Sequence, residues 1–149
     1  MGLFGKKKKP KVEVIYKGTK KAPLPPQFKF DVAGLEYYKD AMYEVLEENP
    51  NYKNPKSTSK SVFKYKYFEN PCDLVPEPDN EYNKDAIAVG YCGKKLGHVP
   101  SAILVTVKMY LDEGYKPILS IRPGHYKTYE EDEWVTYKKD PYAFVTLTK

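Results

Sequence analysis

The segment 74–101 holds the residue types best suited to binding a ligand. It reads LVPEPDNEYNKDAIAVGYCGKKLGHVPS. Its Pro and Asn residues predict a rigid loop that leads into a buried strand, so Tyr82 should lie at the strand rim with its ring facing outward. Lys94 and Lys95 follow at the tip of a predicted hairpin. An outward ring can stack on a nucleobase and lysines can neutralise phosphate, which is the chemistry of a nucleic-acid surface.

Each of these residues also has a plain structural interpretation. Tyr82 is one of 15 tyrosines and could be an ordinary half-buried aromatic residue. Lys94 and Lys95 could be solvated charges of a turn. His98, at a strand end beside a glycine, could approach a phosphate or could bond only to the backbone. Asn80 is expected to cap the loop.

No pattern in the sequence predicts catalysis or metal binding. The chain has no Gly-rich phosphate loop, no H-E-x-x-H and no nucleophile elbow. Its two cysteines and two histidines lack the spacing of a zinc site. We therefore expect a protein that is not an enzyme and that needs neither metal nor cofactor, with Glu130 to Asp132 as a solvated loop.

Positive charge is concentrated at the N-terminus. Residues 1–21 carry eight lysines and one glutamate, a formal charge of +7, which leaves 17 basic and 19 acidic side chains elsewhere. The Lys, Pro and Gly content predicts a flexible leader over 1–26 and one domain over 27–149. The leader could attract phosphate or could only increase solubility. No apolar run is long enough for a membrane span or typical of a secretory signal, which predicts a cytoplasmic protein without a transmembrane segment.

Hydrophobic periodicity predicts an α+β domain. Strands are expected at 28–34, 61–69, 86–91, a short stretch ending at 98, 118–122 and 143–147, and helices at 38–46 and 101–114. Gly34 should permit a sharp turn before the first helix, and Ser101 should cap the second. About six short strands with two helices favour a small curved sheet or partly closed barrel, because closure hides sheet edges.

Several stretches together resemble the HIRAN domain family. EPDN at 77–80 is followed by an aromatic at Tyr82, by DAIAV at 85–89 and by LGHVP at 96–100 after the hairpin. Upstream, FDVAG at 30–34 and YYKDA at 37–41 resemble the first strand and the helix-bearing bacterial variants of that family. These stretches cover most of 28–113. The chain is thus similar to a bacterial or phage-type stand-alone HIRAN protein.

The resemblance implies a small OB-like or SH3-like β-barrel that binds single-stranded DNA, in the best understood case at a free 3′ end. Tyr37 and Tyr82 would stack on bases, Asn83 would lie near the terminal sugar hydroxyl, and His98 would approach a phosphate. The implied nucleic-acid-binding residues are Tyr37, Tyr82, Asn83, Lys94, Lys95, His98 and Ser101, with Gly34, Asn80 and Gly97 as turn residues.

Three positions depart from the DNA-binding pattern of the family. Glu36 stands where a basic residue is expected, Asn83 replaces an aspartate, and Ser101 replaces a lysine. The Asn83 amide oxygen can still accept one hydrogen bond from a 3′ hydroxyl. Phosphate binding would then depend on the leader or on the lysines Lys84, Lys94 and Lys95.

The sequence leaves three functions open. The first is a non-catalytic module that binds single-stranded DNA or DNA 3′ ends beside a helicase, nuclease or other repair or replication protein, or in a mobile element. The second is a protein-interaction module on a HIRAN-like barrel that has lost DNA-end binding, which Glu36 and the slightly acidic body favour. The third is a membrane-associated adaptor, which depends on the leader alone.

Overall fold

A computed structural model describes residues 22–122 and 124–149, so the larger part of the predicted leader lies outside the described residues. In chain order the elements are β1 Gln27–Asp31, α1 Lys39–Val45, β2 Val62–Phe63, β3 Phe68–Pro71, β4 Asp73–Pro76, β5 Ile87–Tyr91, β6 Lys94–His98, α2 Leu104–Asp112, β7 Lys116–Arg122, β8 Tyr126–Glu130, β9 Glu133–Tyr137 and β10 Tyr142–Thr148. Short 3-10 turns at Leu35–Tyr37 and Ser101–Ile103 precede the two helices. The predicted α+β class is confirmed.

The described strands pair as three antiparallel sheets. Their orders are β1-β10-β7-β3, β2-β8-β9 and β4-β5-β6. Within the described part of the chain these sheets do not close into a barrel, and it contains ten strands where about six were expected.

Of the four extra strands, β4, β8 and β9 were not predicted, and one comes from the division of a predicted strand. The predicted strand 61–69 is in fact two strands, because β2 pairs with β8 while β3 pairs with β7. β8 and β9 have half-buried and exposed side chains, so neither shows the apolar face that marks a strand in sequence. The acidic residues predicted as a solvated loop form the hairpin turn between them, in which Glu131 and Asp132 adopt φ of 48° and 68°.

One apolar core joins the four-stranded sheet and the β4-β5-β6 sheet to both helices. Its side chains with least exposure include Met42, Val89, Leu96, Val107, Leu119, Ile121, Val145 and Leu147. Each such side chain contributes roughly 1.5 to 3 kcal/mol through removal of apolar surface from water. The core therefore fixes β5, β6, β7, β10 and the two helices relative to one another.

A close backbone crossing at Gly97 joins the end of β1 to β6. The Ala33 amide donates to the His98 carbonyl (2.8 Å) and the His98 amide donates to the Ala33 carbonyl (2.9 Å). A Cβ at Gly97 would lie 2.5 Å from the Ala33 carbonyl oxygen and 2.5 Å from Val32 Cγ1, so only glycine fits. Gly34, with φ of 77°, then turns the chain into the 3-10 turn that precedes α1, as its sequence position predicted.

The turns around β6 and α2 follow different rules. Cys92 and Gly93 have φ of 50° and 78°, which is the left-handed pair typical of a tight hairpin, so the predicted β5–β6 hairpin is confirmed. The predicted cap at Ser101 is wrong. Ser101 is the first residue of the 3-10 turn and makes no side-chain cap, because Pro100 precedes it and the Pro100 carbonyl accepts the Ile103 amide.

The chain contacts the core before β1 begins. Leu24 packs against the core, and the Tyr115 hydroxyl donates to the Pro25 carbonyl (2.7 Å). The predicted division of the chain after residue 26 stays a prediction. In the described residues no helix is long and apolar enough to cross a bilayer.

Candidate nucleic-acid interface

The loop between β4 and β5 is built on two asparagine side chains. Asn80 Oδ1 accepts the amides of Tyr82 (2.9 Å) and Asn83 (3.0 Å), and Asn83 Oδ1 accepts the Asp85 amide (2.9 Å). The Glu77 amide donates to the Ala86 carbonyl, which closes the base of the loop. Such side-chain bonds hold a loop that lacks a regular ladder. The loop therefore presents its tip in a fixed conformation.

Two tyrosine rings, those of Tyr37 and Tyr82, are almost fully exposed. Tyr82 is 90% exposed and lines an open depression formed by residues 78–84, and Tyr37 is 80% exposed on the 3-10 turn. The alternative that Tyr82 is half buried is wrong. Large, almost fully exposed rings do not contribute to packing, so they are free to stack on a flat ligand.

Glu77 is the centre of the charged groups beside these rings. Its Oε2 lies 2.6 Å from Lys95 Nζ and its Oε1 lies 2.7 Å from His98 Nε2, while Asn80 Nδ2 donates to Oε1 (3.2 Å). The bond from Lys95, followed by those from His98 and Asn80, lowers the pKa of Glu77 to about 2, against the opposing effect of burial. Glu77 also raises the pKa of Lys95. One carboxylate thus contacts both Lys95 and His98, two of the groups that were expected to meet phosphate.

Lys95 and His98 share a face of β6 because of a bulge. Lys95 pairs with Gly90 and Gly97 pairs with Val89, so Leu96 is an extra residue on β6. Three positions apart on a regular strand, Lys95 and His98 would point to opposite faces. The bulge shifts the alternation by one residue and brings both to Glu77.

Tyr38 connects these groups to the start of α1. The Lys95 ammonium lies 5.5 Å from the centroid of the Tyr38 ring, and the Tyr38 and His98 rings meet edge to face at 6.2 Å. The exposed Tyr37 is therefore adjacent in the chain to a ring that contacts the charged cluster. We call Tyr37, Tyr82, Lys95, His98 and the loop 77–85 the motif surface.

The structure does not bring all the predicted residues together. Lys94 turns away and pairs with Glu44 on α1 (2.7 Å). Asn83 is half buried, and its amide oxygen, predicted to accept from a 3′ hydroxyl, already accepts from the backbone. Ser101 is exposed at the start of the second 3-10 turn.

Glu36 and Lys84 are both exposed, and Lys84 lines the same depression as Tyr82. Glu36 lies on the 3-10 turn directly before Tyr37, so it places negative charge beside that ring.

Two contributors to this surface were missed by reasoning from the sequence. Glu77 begins the EPDN stretch and Tyr38 follows Tyr37, so both lay inside quoted motifs without an assigned role. No spacing in the sequence indicates that Glu77 reaches β6. That contact depends on the pairing of β4, β5 and β6 in one sheet.

A surface of two protruding rings beside Lys95 and His98, on a small α+β domain, has the features of a nucleic-acid-binding module. Comparison with protein families agrees. The model of the HIRAN domain matches residues 27–138, which is most of the chain, so the chain belongs to the HIRAN domain family. HIRAN domains are nucleic-acid-binding modules. No curated protein and no solved structure matches the chain.

Proposed function

We propose that this protein binds single-stranded DNA through the motif surface, with preference for a free 3′ end, and that it does so without catalysis. The observation that carries the proposal is the exposure of Tyr37 and Tyr82 on segments whose neighbouring residues, Tyr38 and Glu77, contact Lys95 and His98. Stacking of a base on an aromatic ring contributes about 1 to 3 kcal/mol and tolerates any base, which suits recognition of an end.

Binding at this surface is expected to depend on the rings more than on charge. Lys95 and His98 already contact Glu77, so a phosphate must compete with a carboxylate that is held at 2.6 and 2.7 Å. The exchange replaces one anion by another, and its net gain is small. The tyrosine rings have no such competitor, and they supply the larger share of the affinity.

The direct test compares DNA ligands that differ in their 3′ end or in strandedness. Fluorescence anisotropy is measured with a 3′-hydroxyl oligonucleotide, the same oligonucleotide with a 3′ phosphate, and a blunt duplex, each at two salt concentrations. We expect the 3′-hydroxyl strand to bind most tightly and the order to persist at the higher salt concentration. Absence of binding at low salt, or equal affinity for all three, contradicts the proposal.

A second candidate function is protein interaction at the same surface, beside a helicase, nuclease or other replication or repair protein. Glu36 and the Glu77 carboxylate favour it, since both oppose a polyanion. The discriminating experiment is a pull-down with Tyr82→Ala. A partner that is retained by this variant after its DNA binding is lost supports protein interaction, whereas loss of DNA binding alone, with no partner found, supports the first proposal.

A further inference from the structure

We propose that a second surface, which shares no residue with the motif surface, binds single-stranded nucleic acid without regard to sequence or ends. It is formed by the loop after α1, by β2 and by the β8–β9 hairpin. We call it the basic aromatic surface and define it by Tyr52, Lys53, Lys56, Lys60, Phe63, Lys64, Lys127 and Trp134.

The charge of this surface differs from that of the rest of the folded chain. Residues 49–67 contain five lysines and no acidic residue, whereas the chain after residue 21 has more acidic than basic side chains. Lys66 pairs with Glu47 (3.2 Å). Among the described residues, the other four lysines of this stretch form no salt bridge, so their charge is available to an incoming anion.

Aromatic rings also belong to this surface, together with a further lysine, Lys127. The Lys127 ammonium lies 4.7 Å from the centroid of the Tyr52 ring and 5.5 Å from that of Trp134, which links the loop to the hairpin. Phe63 is 42% exposed and packs against Tyr126 at 5.5 Å. A lysine over a ring can move to a phosphate while a base takes its place on the ring, so cations and rings together match the repeating unit of a single strand.

The surface is concave and held in shape. Asn49 Nδ2 donates to the Phe63 carbonyl (3.1 Å) and Asn49 Oδ1 accepts the Asn51 amide (3.1 Å), which fixes the loop against β2. Three adjoining depressions all include Asn49 in their lining. The largest, with a volume of about 620 Å³, is lined by Tyr52, Lys53 and Lys64 among others. The depressions therefore cluster around Asn49, within reach of neighbouring nucleotides of one strand.

Acidic side chains lie near the surface, and one lies within it. Glu44 pairs with Lys94 and Glu47 pairs with Lys66, so each of these carboxylates is offset by a lysine. Glu48 lines the largest depression together with Lys53 and Lys64. The tip of the β8–β9 hairpin carries the acidic run 130–133. A polyanion is therefore attracted by the lysines of 49–67 and repelled by Glu48 and by the hairpin tip.

Trp134 gives a direct probe of this surface. It is the only tryptophan in the chain, and the motif surface contains none. We titrate the full chain with a circularised oligothymidylate, which has no 3′ end, and follow the fluorescence of Trp134. The expected result is quenching as bases stack near the indole ring. A circular strand that leaves Trp134 fluorescence unchanged at low salt overturns the proposal.

Matched variants locate the effect. Lys53→Gln with Lys60→Gln should weaken binding of the circular strand about tenfold near 0.1 M salt and reduce the slope of log K against log salt by about 1.4, for two lost phosphate contacts. The control is Lys116→Gln with Lys149→Gln, which removes the same amount of positive charge. Lys116 begins β7, at the end of that strand opposite Arg122, and Lys149 follows Thr148, the partner of Lys116. Equal loss in both variants overturns the proposal, because it indicates a general charge effect.

Two further ligands test the class of partner. A blunt duplex and anionic vesicles, each at the same phosphate concentration, should quench Trp134 less than the single strand does, because neither offers unpaired bases. Quenching of equal size by either one overturns the assignment to single-stranded nucleic acid.

The inference and the proposed function can fail separately. Tyr82→Ala should lose 3′-end discrimination and retain quenching of Trp134. Lys53→Gln with Lys60→Gln should retain 3′-end discrimination and require about tenfold more of the circular strand to quench Trp134. Loss of both properties in either variant shows that the two surfaces are not independent and overturns the inference.

Discussion

At the motif surface, Glu77 offsets the charge of Lys95, and the loop 77–85 as a whole is acidic, with four carboxylates and one lysine. Glu77 faces both Lys95 and His98, and the side chain of Glu77 is only 24% exposed. Tyr37 and Tyr82 are the most exposed aromatic residues in the described part of the chain. The free energy of binding should therefore respond most to loss of a ring.

Tyr82→Ala should weaken binding of a 3′-hydroxyl oligonucleotide by about 1 to 3 kcal/mol, the value of one stacked base. The free energy of unfolding should change by less than about 0.5 kcal/mol, because the ring packs against nothing. Anisotropy and urea denaturation measure the two effects. Tyr142→Ala is the matched control, since Tyr142 is 50% exposed and lies outside both surfaces. Unchanged affinity in Tyr82→Ala would show that the ring is not used.

Glu77 should make the stability of the protein depend on acid. Its folded pKa of about 2 lies below its ordinary value of 4.5, so the ionised form stabilises the fold fully above about pH 4.5 and this contribution is lost as the pH falls toward 2. Because solvent screens the partly exposed Glu77 carboxylate, its contribution to stability is smaller than the full shift implies, roughly 1 to 2 kcal/mol. Glu77→Gln should be less stable than the wild type at pH 7, and its free energy of unfolding should change less between pH 4.5 and 2. Urea denaturation at several pH values measures this, and identical pH profiles for the two proteins contradict it.

The same variant should strengthen binding of DNA at low salt. Removing the Glu77 carboxylate frees Lys95 and His98 to interact with a phosphate. We expect the affinity of Glu77→Gln for the 3′-hydroxyl strand to rise by a few fold, measured by anisotropy at pH 7. Weaker binding in a variant that remains folded would mean that Glu77 orients the site and does not compete for it.

At the scale of elements, a bulge and a glycine decide which residues meet. The extra Leu96 on β6 brings Lys95 and His98 to one face. Gly97 lets the backbone at Val32 and Ala33 approach β6, which places the turn that carries Tyr37 near His98. Both features act through the backbone, so a change at either one affects the whole surface.

Gly97→Ala should therefore destabilise the protein by about 3 kcal/mol, since its Cβ would overlap the Ala33 carbonyl and the Val32 side chain. Gly93→Ala is the matched control. It has φ of 78° and no atom within 4 Å of the added Cβ, so we expect a cost of about 1 kcal/mol from backbone conformation alone. Urea denaturation compares the two variants, and equal costs would show that the crossing at Gly97 tolerates a side chain.

At the scale of the whole molecule, the strongest positive charge and the candidate binding surfaces lie in different parts of the chain. Residues 1–21 carry a formal charge of +7, and the remainder has an excess of acidic groups. Lysines attract phosphates without reading ends or sequence. The affinity for nucleic acid and the specificity for a 3′ end should therefore be separable by mutation.

Deletion of residues 1–21 should lower the affinity for every nucleic acid and reduce the dependence of binding on salt, while the preference for a 3′-hydroxyl end remains. Anisotropy over a range of salt concentrations measures both properties. If the preference for the 3′ hydroxyl disappears with the deletion, recognition of the end requires the leader, and the motif surface is insufficient.

Local patterns in the sequence determined the family, the α+β class, the β5–β6 hairpin and the loop that holds Tyr82 outward. Turn residues, alternation and motif order are properties of neighbouring residues, so they can be recognised without the fold. Only the tertiary structure decided that Glu77 meets Lys95 and His98, that 61–69 divides between two sheets, and that Tyr52 meets Lys127. These contacts depend on strand pairing and on one bulge, and a shift of a single residue in register exchanges the faces of a strand.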